Sequence, residues 1–275
     1  VQTQGFKQTE TDKLILQDEA LDYRVLNLAS NTFNENNTAY WHKSVGGYHA
    51  AKLRRYQEMI EEHISDEMQG LYGAVADAGG DMNKLDASEF PVLNMLNTRY
   101  FIFPLQGGQT APLPNPFALG NAWFVDEVQY VSNANEEIEA IHGLNPQQTA
   151  VVDKKFESIV KSIPSDAMDT IELVAYEPNY LKYEVDSEKG GTVVFSEIYY
   201  PGWQSTIDGQ EAAHGRANYI LRAMNVPSGK HVVEFRFDPK SLHTTETIAF
   251  IALGLLALLA VVVIVMKIKA CRKVG

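Results

Sequence analysis

The feature that most constrains the fold is an uncharged run of twenty residues, Thr247 to Met266, near the end of the chain. At about 1.5 Å per residue, a helix of this length spans roughly 30 Å, the thickness of the hydrocarbon core of a bilayer. A buried core helix is the alternative, but such helices rarely continue this far without a polar face. The pattern therefore predicts a membrane-spanning helix over 246–267 and a basic tail over 268–275.

Charged residues flank this segment unevenly. Glu246 precedes it, and the basic cluster KIKACRK follows it. Lysine and arginine near the end of a transmembrane helix favour the cytoplasmic side. We therefore expect a protein of the cytoplasmic (inner) membrane, with residues 1–246 outside the cytoplasm and the C-terminus inside.

The remainder of the chain is strongly acidic. Four of the 23 basic residues follow Glu246 and none of the 35 acidic residues does, so residues 1–246 carry 19 basic groups and a net charge of −16. Such a surface repels phosphate backbones, which argues against nucleic acid as a partner. The single cysteine, Cys271, lies in the tail, so the outer part has no disulfide and depends on packing.

Hydrophobic periodicity divides the outer part in two. In the first part, strands predicted at 23–28, 99–103, 122–131 and 149–153 alternate with predicted helices. The helices are expected at 48–63, from Pro91, at 135–142 and at 154–163, with a broken helix and loop over 65–88. This alternation predicts an extracytoplasmic mixed α/β domain over 1–163.

After Pro164 the apolar period shortens to two. Six predicted strands follow from residue 170, separated by turn sequences such as Asp208-Gly209, a strong hairpin signal. This predicts an antiparallel β-sandwich over 164–243, close to the membrane. The fold class expected for the whole chain is therefore α+β: a mixed domain, a sandwich and one transmembrane helix.

Several long stretches resemble the C-terminal extracytoplasmic region of bacterial YfhO-type membrane proteins, especially those of Bacteroides-like bacteria. These stretches are LNLASNTFNENNTAYWHKSVGGYHAAKLRRYQEMI, FPVLNMLNTRYFIF, NPFALGNAWFV, EIYYPGWQSTIDG and ANYILRAMNVPSGKHVVEFRFDP. Such proteins are similar to GT-C glycosyltransferases, polytopic enzymes that take sugars from polyprenyl-phosphate donors outside the membrane. The resemblance implies that this chain is the last outer domain plus the last transmembrane helix.

The chain begins at Val1, without a start methionine or signal sequence. We therefore expect a fragment of a longer polytopic chain, whose remaining part is a partner of this one. The resemblance places the catalytic carboxylate in the missing part, so no catalytic residue is expected here. No cofactor is expected in this fragment either, and any divalent metal would belong to the catalytic part.

No motif for nucleophilic, metal or nucleotide chemistry occurs in the sequence. A basic segment over 36–57 is the strongest binding candidate, because it holds no acidic residue within an acidic chain. We expect it to bind a phosphate of a polyprenyl-phosphate donor or of anionic lipid headgroups. A solvated helix face with glycines for tight packing is the alternative. The candidate residues are His42, Lys43, Gly46, Gly47, His49, Lys52, Arg54 and Arg55.

A second candidate is an aromatic group at a Pro-Gly bend, since flat rings suit the faces of sugars. Tyr199, Tyr200 and Trp203 could form a glycan-stacking platform. Strand alternation puts Tyr199 and Tyr200 on opposite faces, so core packing competes with this interpretation.

Two functions remain open from the sequence. The first is an accessory domain of a membrane glycosyltransferase-like protein that uses polyprenyl-phosphate sugar donors in the modification of cell-envelope glycan or glycolipid. The second is a membrane-anchored carbohydrate-binding or structural module without enzymatic activity. The expected partners are the lipid bilayer, the rest of the chain, and a polyprenyl-phosphate sugar or envelope glycan.

Overall fold

A computed structural model of the chain describes residues 6–272. Residues 1–5 of the predicted first domain, and 273–275 of the predicted basic tail, lie outside the described residues. Helices, mostly antiparallel sheets and one apolar C-terminal helix make up the described part, which confirms the α+β class.

The first half of the chain mixes short helices with strands of two small sheets. Strands β1 to β3 form one three-stranded sheet, in which β1 and β2 run parallel and β3 is antiparallel. Strands β5 and β6 form a separate parallel pair. The elements are α1 (Glu10–Ile15), β1 (Arg24–Asn27), α2 (Asn37–Trp41), α3 (Arg54–Met59), α4 (Ser65–Asp77), α5 (Pro91–Met95), β2 (Thr98–Pro104), β3 (Thr110–Pro114), β4 (Ala122–Val125), β5 (Glu127–Val131), α6 (Ala134–Glu139) and β6 (Thr149–Asp153).

Helices α3 and α4 are joined without a break by a π-helical turn over Ile60–Ile64. The helix therefore begins at Arg54 rather than at Tyr48 and continues to Asp77, well into the segment expected to be broken. Leu53, the residue before the helix, has an extended backbone (φ −60°, ψ 129°), and the peptide N–H of Tyr48 donates to the carbonyl of Glu35 (3.1 Å) and the side chain of Asn36 (3.0 Å).

Two antiparallel sheets form the predicted sandwich. One has five strands in the order β11-β10-β14-β8-β7, and the other has four in the order β12-β13-β9-β4. Their strands after residue 164 are β7 (Thr170–Glu177), β8 (Tyr180–Ser187), β9 (Gly191–Ile198), β10 (Trp203–Ile207), β11 (Gln210–Glu211), β12 (Gly215–Ala217), β13 (Leu221–Val226) and β14 (Gly229–Phe237).

The sandwich core is aromatic at its centre. Tyr183, Phe195 and Phe235 are almost fully buried and meet edge to face at centroid distances of 4.9 to 6.1 Å. Edge-to-face pairs of this kind add stability beyond the apolar area that they bury.

The predicted strand over 122–131 is two strands that belong to different sheets. Strand β4 pairs with β9 of the sandwich, whereas β5 pairs with β6. One strand of the sandwich thus comes from before residue 164. The domain division at that residue stays a prediction.

The predicted helix over 154–163 was wrong, because only Lys154–Phe156 forms a short 3-10 turn. The backbone of Lys161 forms hydrogen bonds with residues of other elements. Its N–H donates to Asn225 Oδ1 (2.7 Å), and its carbonyl accepts from Thr192 Oγ1 (2.5 Å) and Asn225 Nδ2 (2.8 Å). These long-range hydrogen bonds replace the local ones that helical spacing predicts.

The chain ends in α7 (Lys240–Arg272), which begins three residues after the last sandwich strand. Within Ser241–Lys269, the most apolar window of 18 residues has a mean hydropathy of 3.3, and none of that window is buried by the rest of the chain. By length and composition this helix can cross a membrane.

Candidate functional site

Part of the basic segment lines a surface groove of about 630 Å³. The extended residues before α3 and the first turn of that helix form one wall, and Phe33 contributes from the loop after β1. Of the eight candidates for phosphate binding, the structure brings three together here: His49, Lys52 and Arg54.

These three side chains are accessible and differ in their contacts. The Lys52 ammonium lies 5.4 Å from the Phe33 ring centroid, and within the described residues it makes no ion pair. The Arg54 side chain is 92% exposed and contacts Glu58 at 2.8 Å. His49 is exposed and accepts the Ala51 N–H on Nδ1 at 3.0 Å, which leaves Nε2 toward solvent. The groove thus offers cationic groups beside the half-buried Phe33 and the exposed Tyr48.

His42 and Lys43 lie away from this groove, in ion pairs. His42 Nε2 is 2.9 Å from Asp12 Oδ1, and both side chains are buried. The Lys43 ammonium is 2.8 Å from Asp22 and 2.7 Å from Glu197, so it joins the N-terminal elements to strand β9. Burial raises the pKa of the Asp22 carboxyl, although the charge of Lys43 opposes this effect.

Arg55 is half-buried, with 30% of its side chain exposed, and it is engaged by other residues of the protein. Its guanidinium donates to Glu137 at 3.0 Å and covers the Tyr219 ring at 4.2 Å. Glu137 is completely buried and is bound on its other side by Arg216 at 2.7 Å. Sequence analysis did not find this cluster, because Glu137 lies 82 residues from Arg55 and no local pattern connects them.

The two glycines of the segment have packing roles. The N–H of Gly46 donates to Ser44 Oγ (3.0 Å), and that of Gly47 donates to the Thr32 carbonyl (2.7 Å). A Cβ on Gly46 would lie 2.1 Å from that carbonyl oxygen, and Gly47 has a φ of +106°. Both N–H groups are therefore engaged within the protein, as the packing alternative expects.

The aromatic candidates lie at the end of the sandwich from which α7 leaves. Tyr199 is half-buried against Phe156, with ring centroids 5.7 Å apart. Trp203 lies between Phe237 (5.5 Å between centroids) and the Arg222 guanidinium (4.0 Å from the ring centroid). Tyr200 is 46% exposed. Only Tyr200 therefore presents a largely accessible ring.

Two further features escaped sequence analysis: the buried Arg222 and a pair of imidazoles of which His63 is buried and His142 exposed. Arg222 is 1% exposed, and its Nη1 has no hydrogen-bond partner within the described residues; burial lowers its pKa to about 10. The imidazoles of His63 and His142 lie 4.4 Å apart. Across residues 6–272, no group of three or more His, Cys, Asp and Glu side chains is arranged to hold a metal ion.

Comparison with known proteins supports the family resemblance. Residues 142–266 match the model of the family described as bacterial membrane protein YfhO. This region is a YfhO-family region. The match begins three residues after α6, covers β6 to β14 and the uncharged run Thr247 to Met266 of α7, and leaves strand β4 of the sandwich outside. Together with the candidate span Ser241–Lys269, the match supports a membrane protein that is similar to this family over its C-terminal part.

Neither the curated proteins nor the solved structures gave a match.

Proposed function

We propose that this chain is an accessory extracytoplasmic domain of a glycosyltransferase-like YfhO protein, and that it binds the phosphate group of a polyprenyl-phosphate sugar donor. The observation that carries the proposal is the groove in which His49, Lys52 and Arg54 lie together and accessible, on a domain tied to a membrane-spanning helix. Neither sugar nor acceptor is specified by these contacts.

Charge supports a phosphate rather than a neutral ligand. Hydrogen bonds between charged groups contribute about 1.5–3 kcal/mol each, and a phosphate accepts from several donors at once. Glu58 and Glu61 also line the groove, and Glu58 lies 2.8 Å from Arg54, so a bound phosphate must replace Glu58 as the partner of that guanidinium. Phe33 and the 58% exposed Tyr48 add apolar surface for the isoprenoid or sugar next to the phosphate.

The test is calorimetric titration of farnesyl phosphate into the full chain in phosphatidylcholine nanodiscs, with farnesol as the matched ligand that lacks the phosphate. We expect phosphate-dependent binding that weakens at least about tenfold in the variant Lys52→Ala/Arg54→Ala. The variant Lys84→Ala/Lys230→Ala, which removes two exposed lysines elsewhere, should bind as the unmodified chain does.

Two further titrations separate the sources of the phosphate. Inorganic phosphate should compete weakly, and nanodiscs with anionic phosphatidylglycerol should compete if headgroups occupy the groove. Equal affinity of the unmodified chain and the Lys52→Ala/Arg54→Ala variant for farnesyl phosphate would refute the proposal and leave a structural module.

A further inference from the structure

We infer that the loop 199–203, with Tyr200 at its surface, is a membrane-contacting element that rests in the outer headgroup layer of the bilayer. The partner is the zwitterionic lipid interface, and the contact is made by aromatic rings rather than by charge. This inference does not depend on the phosphate groove of the proposed function.

The length of α7 determines where its first residues lie relative to the lipid headgroups. The candidate span Ser241–Lys269 contains 29 residues, which corresponds to about 43 Å of helix. A bilayer is about 40–45 Å thick when its headgroup layers are included. Ser241 therefore lies at the outer boundary of the headgroups, and the residues just before it lie at the same height.

Loop 199–203 is fixed to the residues from which α7 enters the membrane. The N–H of Asp238 donates to the Gly202 carbonyl at 3.0 Å, and Gln204 Nε2 donates to the Asp238 carbonyl at 3.0 Å. Gly202 has a φ of +103°, and a Cβ there would lie 2.9 Å from Cβ of Pro239. The loop and the start of α7 thus pack as one unit.

The aromatic rings of the loop pack on either side of Phe237. Phe237 lies between Tyr200 and Trp203, at centroid distances of 6.1 and 5.5 Å. Because Arg222 covers Trp203 at 4.0 Å, the tryptophan supports the loop from inside. Tyr200 is left 46% exposed beside the membrane helix. Tyrosine and tryptophan concentrate at membrane interfaces, where a ring meets lipid and a polar atom meets water.

The net charge of the outer part disfavours attraction to anionic lipid as the cause. Residues 1–246 carry a net charge of −16, so anionic headgroups repel the domain as a whole. Contact through an aromatic ring is insensitive to salt, unlike contact through phosphate-binding cations.

The experiment places one fluorescent label on the full chain in phosphatidylcholine nanodiscs, in a Cys271→Ser background. The label is attached at Tyr200→Cys, or at Met168→Cys as the matched control. Met168 is 81% exposed and lies by the Ser187–Gly229 end of the sandwich, opposite Phe237. Nanodiscs that contain headgroup spin-labelled lipid should quench the label at residue 200 and leave that at 168 unquenched, at low and at high salt.

Equal and weak quenching at both positions would overturn the inference. Protection of the residue 200 label by a soluble glycan, without quenching by lipid, would assign the loop to glycan binding instead and would also overturn it. Thermal melting establishes that each variant folds. If Tyr200→Cys does not fold, exposed Pro201→Cys on the same loop replaces it and must be quenched in the same way.

Discussion

Replacement of Glu137 by alanine should destabilise the extramembrane part by about 3–5 kcal/mol, the range typical when one partner of a buried ion pair is removed. The Glu137 carboxylate accepts hydrogen bonds from Arg216 at 2.7 and 3.2 Å and from Arg55 at 3.0 Å. The Arg216 side chain is only 7% exposed, so alanine leaves its guanidinium buried with Asp153, 3.5 Å away, as its remaining counterion.

The loss should appear as a fall in melting temperature. For a unit of this size, 1 kcal/mol corresponds to roughly 2–4 °C, so the expected decrease for Glu137→Ala is about 10 °C. Near-ultraviolet circular dichroism of the full chain in phosphatidylcholine nanodiscs follows the tertiary packing, and urea titration in the same sample gives the free energy of unfolding.

Two variants test the reasoning behind this number. Glu139→Ala removes an exposed carboxylate from the same helix and should change stability by less than about 0.5 kcal/mol. Glu137→Leu combined with Arg216→Met should recover most of the loss, since both charges are then gone. A decrease of less than about 1 kcal/mol in the free energy of unfolding of Glu137→Ala would refute the structural role assigned to this cluster. It would also refute the conclusion that Glu137 keeps Arg55 from binding phosphate.

Two further predictions concern pH and packing. Burial lowers the pKa of His214 to about 4, below its ordinary 6.5. Because the unfolded chain takes up the proton first, the free energy of unfolding should fall as pH drops from about 6.5 to 4, by up to roughly 3 kcal/mol. Urea titrations against pH should show a smaller fall in His214→Gln and an unchanged one in the exposed-site control His49→Gln. Gly46→Ala should lower the melting temperature, since its Cβ would lie 2.1 Å from the Thr32 carbonyl oxygen. Gly70→Ala, in an open part of α4, should raise stability by about 0.5–1 kcal/mol; a reversed order of the two glycine variants would contradict the close packing at Gly46.

The sandwich was predictable because its strands alternate and are separated by strong turn signals. Asp208 and Gly209 have φ values of +52° and +76° between β10 and β11, as a tight hairpin requires. The secondary-structure predictions failed where long-range hydrogen bonds override local periodicity. The backbone of Lys161, bonded to Thr192 and Asn225, is the clearest case.

The candidate site was predictable only as a charged segment. Sequence identified the basic run over 36–57, but not which of its cations remain accessible. Lys43 and Arg55 are engaged by Glu197 and Glu137, which lie 154 and 82 residues away. Nothing local to these lysine and arginine residues signals such partners, so only the fold separates them from Lys52 and Arg54 in the groove.

We propose that this domain lies outside the cytoplasm and is tied to the membrane by α7, and cysteine accessibility in bacterial cells tests this proposal most directly. A membrane-impermeant maleimide is applied to cells that express the full chain, with Met168→Cys added to the native Cys271. The account predicts that residue 168 is labelled in intact cells and Cys271 only after permeabilisation. Labelling of Cys271 in intact cells, with residue 168 protected, would contradict it.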